Sequence, residues 1–267
     1  MGAFEGATAA ERVEPGLWAT AFDSSWTIGD AVHGGLAQAV LVRAAVAETD
    51  HHHPVATSAH FLAPTTPGPA EVAVEGLRAG RTASTLRAVL RQDGVDKVVA
   101  HVTVATLQHG PPAYQARQPP VPPPEQCVPR PARLPDGNPV RFLESIEVRL
   151  DPRQVGGPHD GLSGVPDVRG WIRARDGAPP DAIFLMFCVD ALPPTVLEIG
   201  GQGWSPTVQL STYVRALPAP GWLSVIARAS AVADGWFDEE AEVWDSTGRL
   251  VAQSRQAGRC RLAADPG

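Results

Sequence analysis

Cysteine is scarce in this chain. The three present, Cys127, Cys188 and Cys260, lie far apart and form no C-x-x-C pair. An odd number at irregular spacing excludes a disulfide framework and a cysteine-based zinc site. Positive charge is also short, with 22 Lys and Arg against 29 Asp and Glu and a net charge of −7. A nucleic-acid binder carries a basic patch, and this balance argues against one. No basic amphipathic stretch marks a membrane surface. No apolar run reaches the roughly 18 residues that a membrane helix needs. The opening MGAFEGATAAERVEPG has no basic stretch followed by an apolar one, and Gly6 breaks the N-myristoylation pattern. Standard machinery is missing as well: there is no P-loop, no G-x-G-x-x-G, no G-x-S-x-G and no H-E-x-x-H. His51, His52 and His53 are consecutive, so their side chains diverge in any regular structure; they read as a solvated loop, not a metal site. These absences predict a cytoplasmic protein without metal or cofactor, and without nucleic acid or membrane as partner.

What is present is enough to build a core. Hydrophobic residues make up 43% of the 267 positions and charged residues 19%, ordinary values for a globular chain. Between Pro111 and Pro135 the sequence is dense in proline, which neither a helix nor a central strand tolerates. This segment reads as an extended connector. It predicts three regions: residues 1–110, a linker over 111–138, and residues 139–267.

The two flanking regions look like copies. VATSAHFLAPTTPG ends at Gly68 and VQLSTYVRALPAPG ends at Gly221, an offset of 153 that also aligns Ser58 with Ser211. The turn at Gly94 meets Gly248, and VVAH after the first turn matches LVAQ after the second. Ordered matches at a nearly constant offset point to duplication. In the first copy His33–Thr49 reads as a helix, with Leu36, Val40, Leu41 and Ala44 on one stripe and Gln38, Arg43 and Glu48 off it. Strand patterns follow at Val55–Leu62, Ala70–Leu77, Thr82–Gln92 and Lys97–Leu107. The second copy runs from a helix around Pro180–Leu192 into Thr207–Arg215, Trp222–Ala231, Phe237–Trp244 and Leu250–Leu262. A helix and an antiparallel meander, twice over, make an α+β fold.

Polar residues in apolar places mark the candidate site. Asp190 lies inside AIFLMFCVDALP, where an unpaired carboxylate is costly to bury. On the last strand, Leu250, Ala252, Ser254, Gln256, Gly258, Cys260 and Leu262 alternate with Gln253, Arg255, Arg259 and Arg261, so Gln256 points inward. Thr207 begins the strand after Asp190's helix. Periodicity groups it with Gln209, Ser211 and Tyr213 and does not single it out.

The ordered set resembles the bacterial acyl-CoA thioesterase II family. VAQSRQAGRCR is similar to that family's V-A-x-x-x-Q-x-G-x-x-R pattern and places its glutamine at Gln256. FCVDALPPT places its aspartate at Asp190, and SPTVQLS its threonine at Thr207. VHGGLAQAV resembles the F-G-G-x-x-x-x-A segment of the first copy. The resemblance implies a double hotdog, each half a long helix wrapped by an antiparallel sheet. It implies hydrolysis of acyl thioesters, of coenzyme A or of a carrier protein, with Asp190, Thr207 and Gln256 as the catalytic set. It also favours a homo-oligomer. Val189, Gln209, Leu210 and Ala257 depart from the family around that set.

Hydrolysis suits these residue types. A buried aspartate with a raised pKa can take a proton from water, and Thr207 and Gln256 can orient that water. His33, Gly34 and Gly35 are candidate substrate-binding residues, because a helix start offers N–H groups to a developing oxyanion. Two alternatives stand beside it. Asp30 and His33 in GDAVHGG distantly resemble the Asp and His of hotdog hydratases and dehydratases; otherwise Asp30 would cap the helix. A non-catalytic acyl-thioester binder on the same fold is the other.

Overall fold

The computed structural model describes residues 2–108, 110–154 and 162–262. Its frame is one antiparallel sheet of fourteen strands. Twelve of them are β1 (Glu11–Glu14), β2 (Leu17–Phe22), β3 (His53–Phe61), β4 (Gly68–Arg78), β5 (Ala83–Gln92), β6 (Val95–Ala105), β7 (Ile146–Leu150), β8 (Asp167–Ala174), β9 (Thr207–Val214), β10 (Leu223–Arg228), β11 (Trp236–Trp244) and β12 (Leu250–Arg259). Their order is β1-β2-β4-β5-β6-β3-β9-β12-β11-β10-β8-β7, with the two-residue strands Val128–Pro129 and Val232–Ala233 at the margins. The sequence pattern located β3 to β6 and β9 to β12 within a few residues and missed β1, β2, β7 and β8.

The order is a palindrome of two six-strand halves. Where they meet, β3 pairs with β9, and Ser58 lies directly opposite Ser211. Those two serines are also partners under the offset of 153, so a pseudo-twofold axis passes between them. The turns repeat too: Gly94 has φ 77 in its counterpart Gly248 and 74 in itself, a region that side chains with a Cβ disfavour.

The helices show where the halves diverge. α2 (Gly34–Ala47) is buried on nearly every side, Gln38 included, and not only along its apolar stripe. It packs against the sheet and against α3 (Phe184–Cys188), so it has no broad wet face. Gln38 is accommodated by donating from Nε2 to Thr212 Oγ1 at 3.0 Å. The expected helix around Pro180–Leu192 is only the single turn of α3. α3 stops at Cys188, where the bonds tighten to Asp190 N–H→Phe187 and Ala191 N–H→Cys188, and Pro193 and Pro194, which lack N–H donors, keep the chain from resuming an α-helix. A 3₁₀ turn at Thr195–Ile199 follows. Asp190 falls in the gap between these pieces. A short helix α1 (Ala3–Ala7) seals the apolar cluster: Phe4 packs on Trp26, Phe184 and Phe187.

Asp30 does not cap α2. The cap is His33, whose Nδ1 accepts the Gly35 N–H at 3.1 Å, while Asp30 is exposed in a turn. Of the three consecutive histidines, His52 is exposed. His51 bonds the Gly80 carbonyl and His53 opens β3 and accepts the Leu107 N–H. No cluster with metal-ligand composition exists among the described residues, and no helix among them is long and apolar enough to cross a membrane. The proline-rich segment is docked on the second half: the carbonyls of Pro120, Pro122 and Pro124 accept from Arg169, Trp171 and Arg149.

Candidate active site

A cavity of about 390 Å³ opens at the N-terminus of α2. The first half contributes Val32, His33, Gly34 and Phe61 to its wall; the second contributes Asp190, Thr207, Glu239 and Gln256. The three residues singled out on β9, β12 and after α3 therefore converge, although 66 positions separate the first from the last.

Asp190 sits across from the start of α2. Its Oδ2 accepts the Gly35 N–H at 2.8 Å, so a helix N-terminus faces the carboxylate. The approach depends on missing side chains. A Cβ on Gly34 would lie 3.1 Å from Asp190 Oδ2, and one on Gly35 would lie 3.0 Å from Phe187 Cα. Burial pushes the Asp190 pKa up to about 7; the Gly35 N–H pulls it back, Glu239 adds to the rise and Arg130 opposes it. The carboxylate is thus poised between its two protonation states near neutral pH. Because the Gly35 N–H serves Asp190 and His33, Gly35 lies behind the carboxylate and not in the cavity wall, whereas His33 and Gly34 line it.

His33 is nearly sealed, with its ring against Phe142 and Phe187. Its Nδ1 is 3.7 Å from Asp190 Oδ2. Burial, helped by the Arg130 charge, lowers its pKa to about 3, so the imidazole is neutral. With Nδ1 accepting from Gly35, the proton of the neutral ring is on Nε2.

A β-bulge turns Thr207 toward the cavity. Leu210 pairs with Gln256 and Gln209 with Ala257, but Thr207 pairs with Gly258, one residue out of step. The extra residue reverses the alternation, so Thr207 turns to the side of Gln256 while Gln209, Ser211 and Tyr213 stay on the other. Simple period-two reading therefore misplaced it. Gly258 leaves room here: a Cβ on it would overlap the Phe237 ring.

Thr207 Oγ1 donates to Gln256 Oε1 at 2.7 Å, and Gln256 Nε2 donates to Glu239 Oε1 at 2.7 Å. Glu239 Oε2 accepts the Thr195 N–H at 2.8 Å. Glu239 went unnoticed in the sequence, yet the signal was there. Phe237, Glu239, Ala241 and Val243 alternate as the buried face of β11. Burial raises the Glu239 pKa, against the pull of its N–H donors.

Arg130 had no such signal, because it lies in the irregular proline-rich segment. It is 6% exposed and lines the cavity. Its Nη1 donates to the Ala191 carbonyl, in the non-helical stretch after α3. The guanidinium lies 5.3 Å over the Phe142 ring, and among the described residues Nη2 has no hydrogen-bond partner. Burial lowers its pKa to about 10 while Asp190 opposes, so the charge persists at neutral pH.

Residues 22–108 match the family model described as the acyl-CoA thioesterase N-terminal domain, and residues 124–260 match that of the acyl-CoA thioesterase C-terminal domain. A crystal structure of a candidate thioesterase II from Thermobifida fusca YX superposes with a TM-score of 0.87 at 36% identity, covering 98% of each chain. An uncharacterised protein of Mycobacterium tuberculosis is 34% identical over 254 residues, covering 86% of each. A thioesterase-like protein of Talaromyces wortmannii is 27% identical over 319 residues, covering 94% of this chain and 90% of that one.

Proposed function

The chain belongs to the acyl-CoA thioesterase family, and from that premise we propose that it hydrolyses acyl thioesters at the cavity holding Asp190, Thr207 and Gln256. The observation that carries this reading is the convergence of a near-neutral carboxylate and a bonded Thr–Gln pair on one wall. Asp190 takes a proton from water as the water oxygen attacks the thioester carbonyl carbon. Thr207, held by Gln256, orients that water, which replaces a chance encounter by a fixed geometry. The tetrahedral intermediate collapses with cleavage of the C–S bond, and the proton on Asp190 passes to the leaving sulfur. The products are a carboxylic acid and a thiol. The acyl chain lies against Val32, Phe61, Leu134 and Leu192, apolar residues of the same wall.

Dehydration is supported less well. A dehydratase histidine must accept a proton from substrate, but His33 Nδ1 is already occupied and its basicity is suppressed. Asp30 lies outside the cavity wall. Release of thiol from a panel of acyl-CoA and acyl-carrier-protein thioesters tests the proposal. Turnover of one class above background supports hydrolysis and names the carrier. Binding without thiol release would make the protein an acyl-thioester binder, and hydration of an enoyl thioester would make it a hydratase.

A further inference from the structure

We propose that Glu239 is a positioning residue that sets the direction of the hydrogen bonds through Gln256 and Thr207. The proposal rests on the hydrolytic reading of the cavity. Glu239 is fully committed to this task by its contacts. It is 6% exposed, and its two oxygens meet two N–H donors, the Thr195 backbone at 2.8 Å and Gln256 Nε2 at 2.7 Å. A carboxylate only accepts hydrogen bonds. The Gln256 amide must therefore turn its NH₂ toward Glu239 and its oxygen toward Thr207. With that oxygen in place, the Thr207 hydroxyl donates to it at 2.7 Å.

The consequence reaches the water. A hydroxyl has one proton, and Thr207 has spent it on Gln256, so Thr207 offers the cavity only a lone pair. A water held between Thr207 and Asp190 then gives one hydrogen to each acceptor. Its oxygen lone pairs stay free to attack the carbonyl. If the amide were reversed, Gln256 would donate to Thr207, and Thr207 would donate to the water oxygen. That would occupy a lone pair needed for attack. Gln256 alone cannot choose between these states, because its two ends are nearly isosteric. Thr195 fixes Glu239, Glu239 fixes Gln256, and Gln256 fixes Thr207.

The test combines kinetics with a readout independent of turnover. E239Q introduces donors where only acceptors fit, and E239M fills the space without a polar atom. Each should lower kcat at least about ten-fold with KM within about three-fold, since orientation rather than substrate binding is lost. In a Q256A background the same changes should cost nothing further, because the residue they act through is gone. Full kcat in the single variants, or a loss that multiplies onto Q256A, overturns the proposal. The Gln256 side-chain amide pair in a ¹H–¹⁵N spectrum, assigned by its absence in Q256A, should shift in E239M. An unmoved pair overturns the proposal whatever the activity. If the amide pair responds but the wild-type protein hydrolyses nothing, the hydrolytic reading fails and the Glu239 lock stands.

Discussion

Replacing Asp190 by asparagine separates the cost of the carboxylate from its use. Burial lifts Asp190 from an ordinary 3.8 to about 7. The folded state therefore holds this proton more tightly than the unfolded chain does. The ionised carboxylate destabilises the fold, and the penalty grows as pH rises from about 4 to about 7 and is constant above that. The side chain is 12% exposed, so solvent screens little of this. At about 1.4 kcal/mol per pKa unit, the wild-type protein loses about 2–3 kcal/mol at this residue between pH 5 and pH 8. D190N keeps the shape and an acceptor for the Gly35 N–H but has no charge to bury. Its melting temperature relative to wild type should climb with pH. A chain of this size moves about 2–4 °C per kcal/mol, so the gap should widen by roughly 5–10 °C between pH 5 and pH 8. Scanning calorimetry at both pH values measures it. A gap that is the same at both, or narrower at pH 8, would show that Asp190 is not buried as a charge in the folded state.

Three further outcomes are expected. For the hydrolysis reaction, kcat should fall about ten-fold per pH unit below about 7, as the base takes up its proton; a limb that stays flat to pH 5 would assign the base elsewhere. Arg130→Met removes the charge that favours ionised Asp190, so the same limb should move to higher pH; an unmoved limb would show that the two residues are uncoupled. Gly35→Ala places a Cβ 3.1 Å from the carbonyl oxygens of Met186 and Phe187, which are backbone and cannot swing away. It should cost about 1–3 kcal/mol in denaturant unfolding, and an unchanged midpoint would contradict the close packing of α2 on α3.

Much of this architecture was legible in the sequence, because repetition and alternation are local signals. β3–β6 and β9–β12 carry clear period-two patterns and glycine turns, and the offset of 153 relates Ser58 to Ser211 before any pairing is known. Among the peripheral strands, β7 (Ile146, Val148 and Leu150 buried, Glu147 and Arg149 between them) and β8 carry the same alternation and were readable, whereas β1 was not. β1 is exposed along its whole length and has no buried face to show. The second helix stops at Cys188 inside a continuous apolar run that marks no end, and only the bar to its resuming, Pro193 and Pro194, is readable. In the site, Gln256 was visible by alternation and Asp190 by its apolar surroundings. Thr207 needed the bulge, which no pattern announces. Glu239 was readable on β11, while Arg130 reaches the cavity from irregular chain that has no period to read.

Asp190 as the group that activates water for thioester hydrolysis is tested by steady-state turnover of wild type and D190N at pH 8. The substrate is the acyl thioester that the panel turns over fastest. A well-placed general base contributes about 10²–10⁴-fold, so D190N should lose at least about 10²-fold in kcat while remaining folded and the more stable of the two. Folded D190N that turns over within about three-fold of wild type would rule Asp190 out as the base.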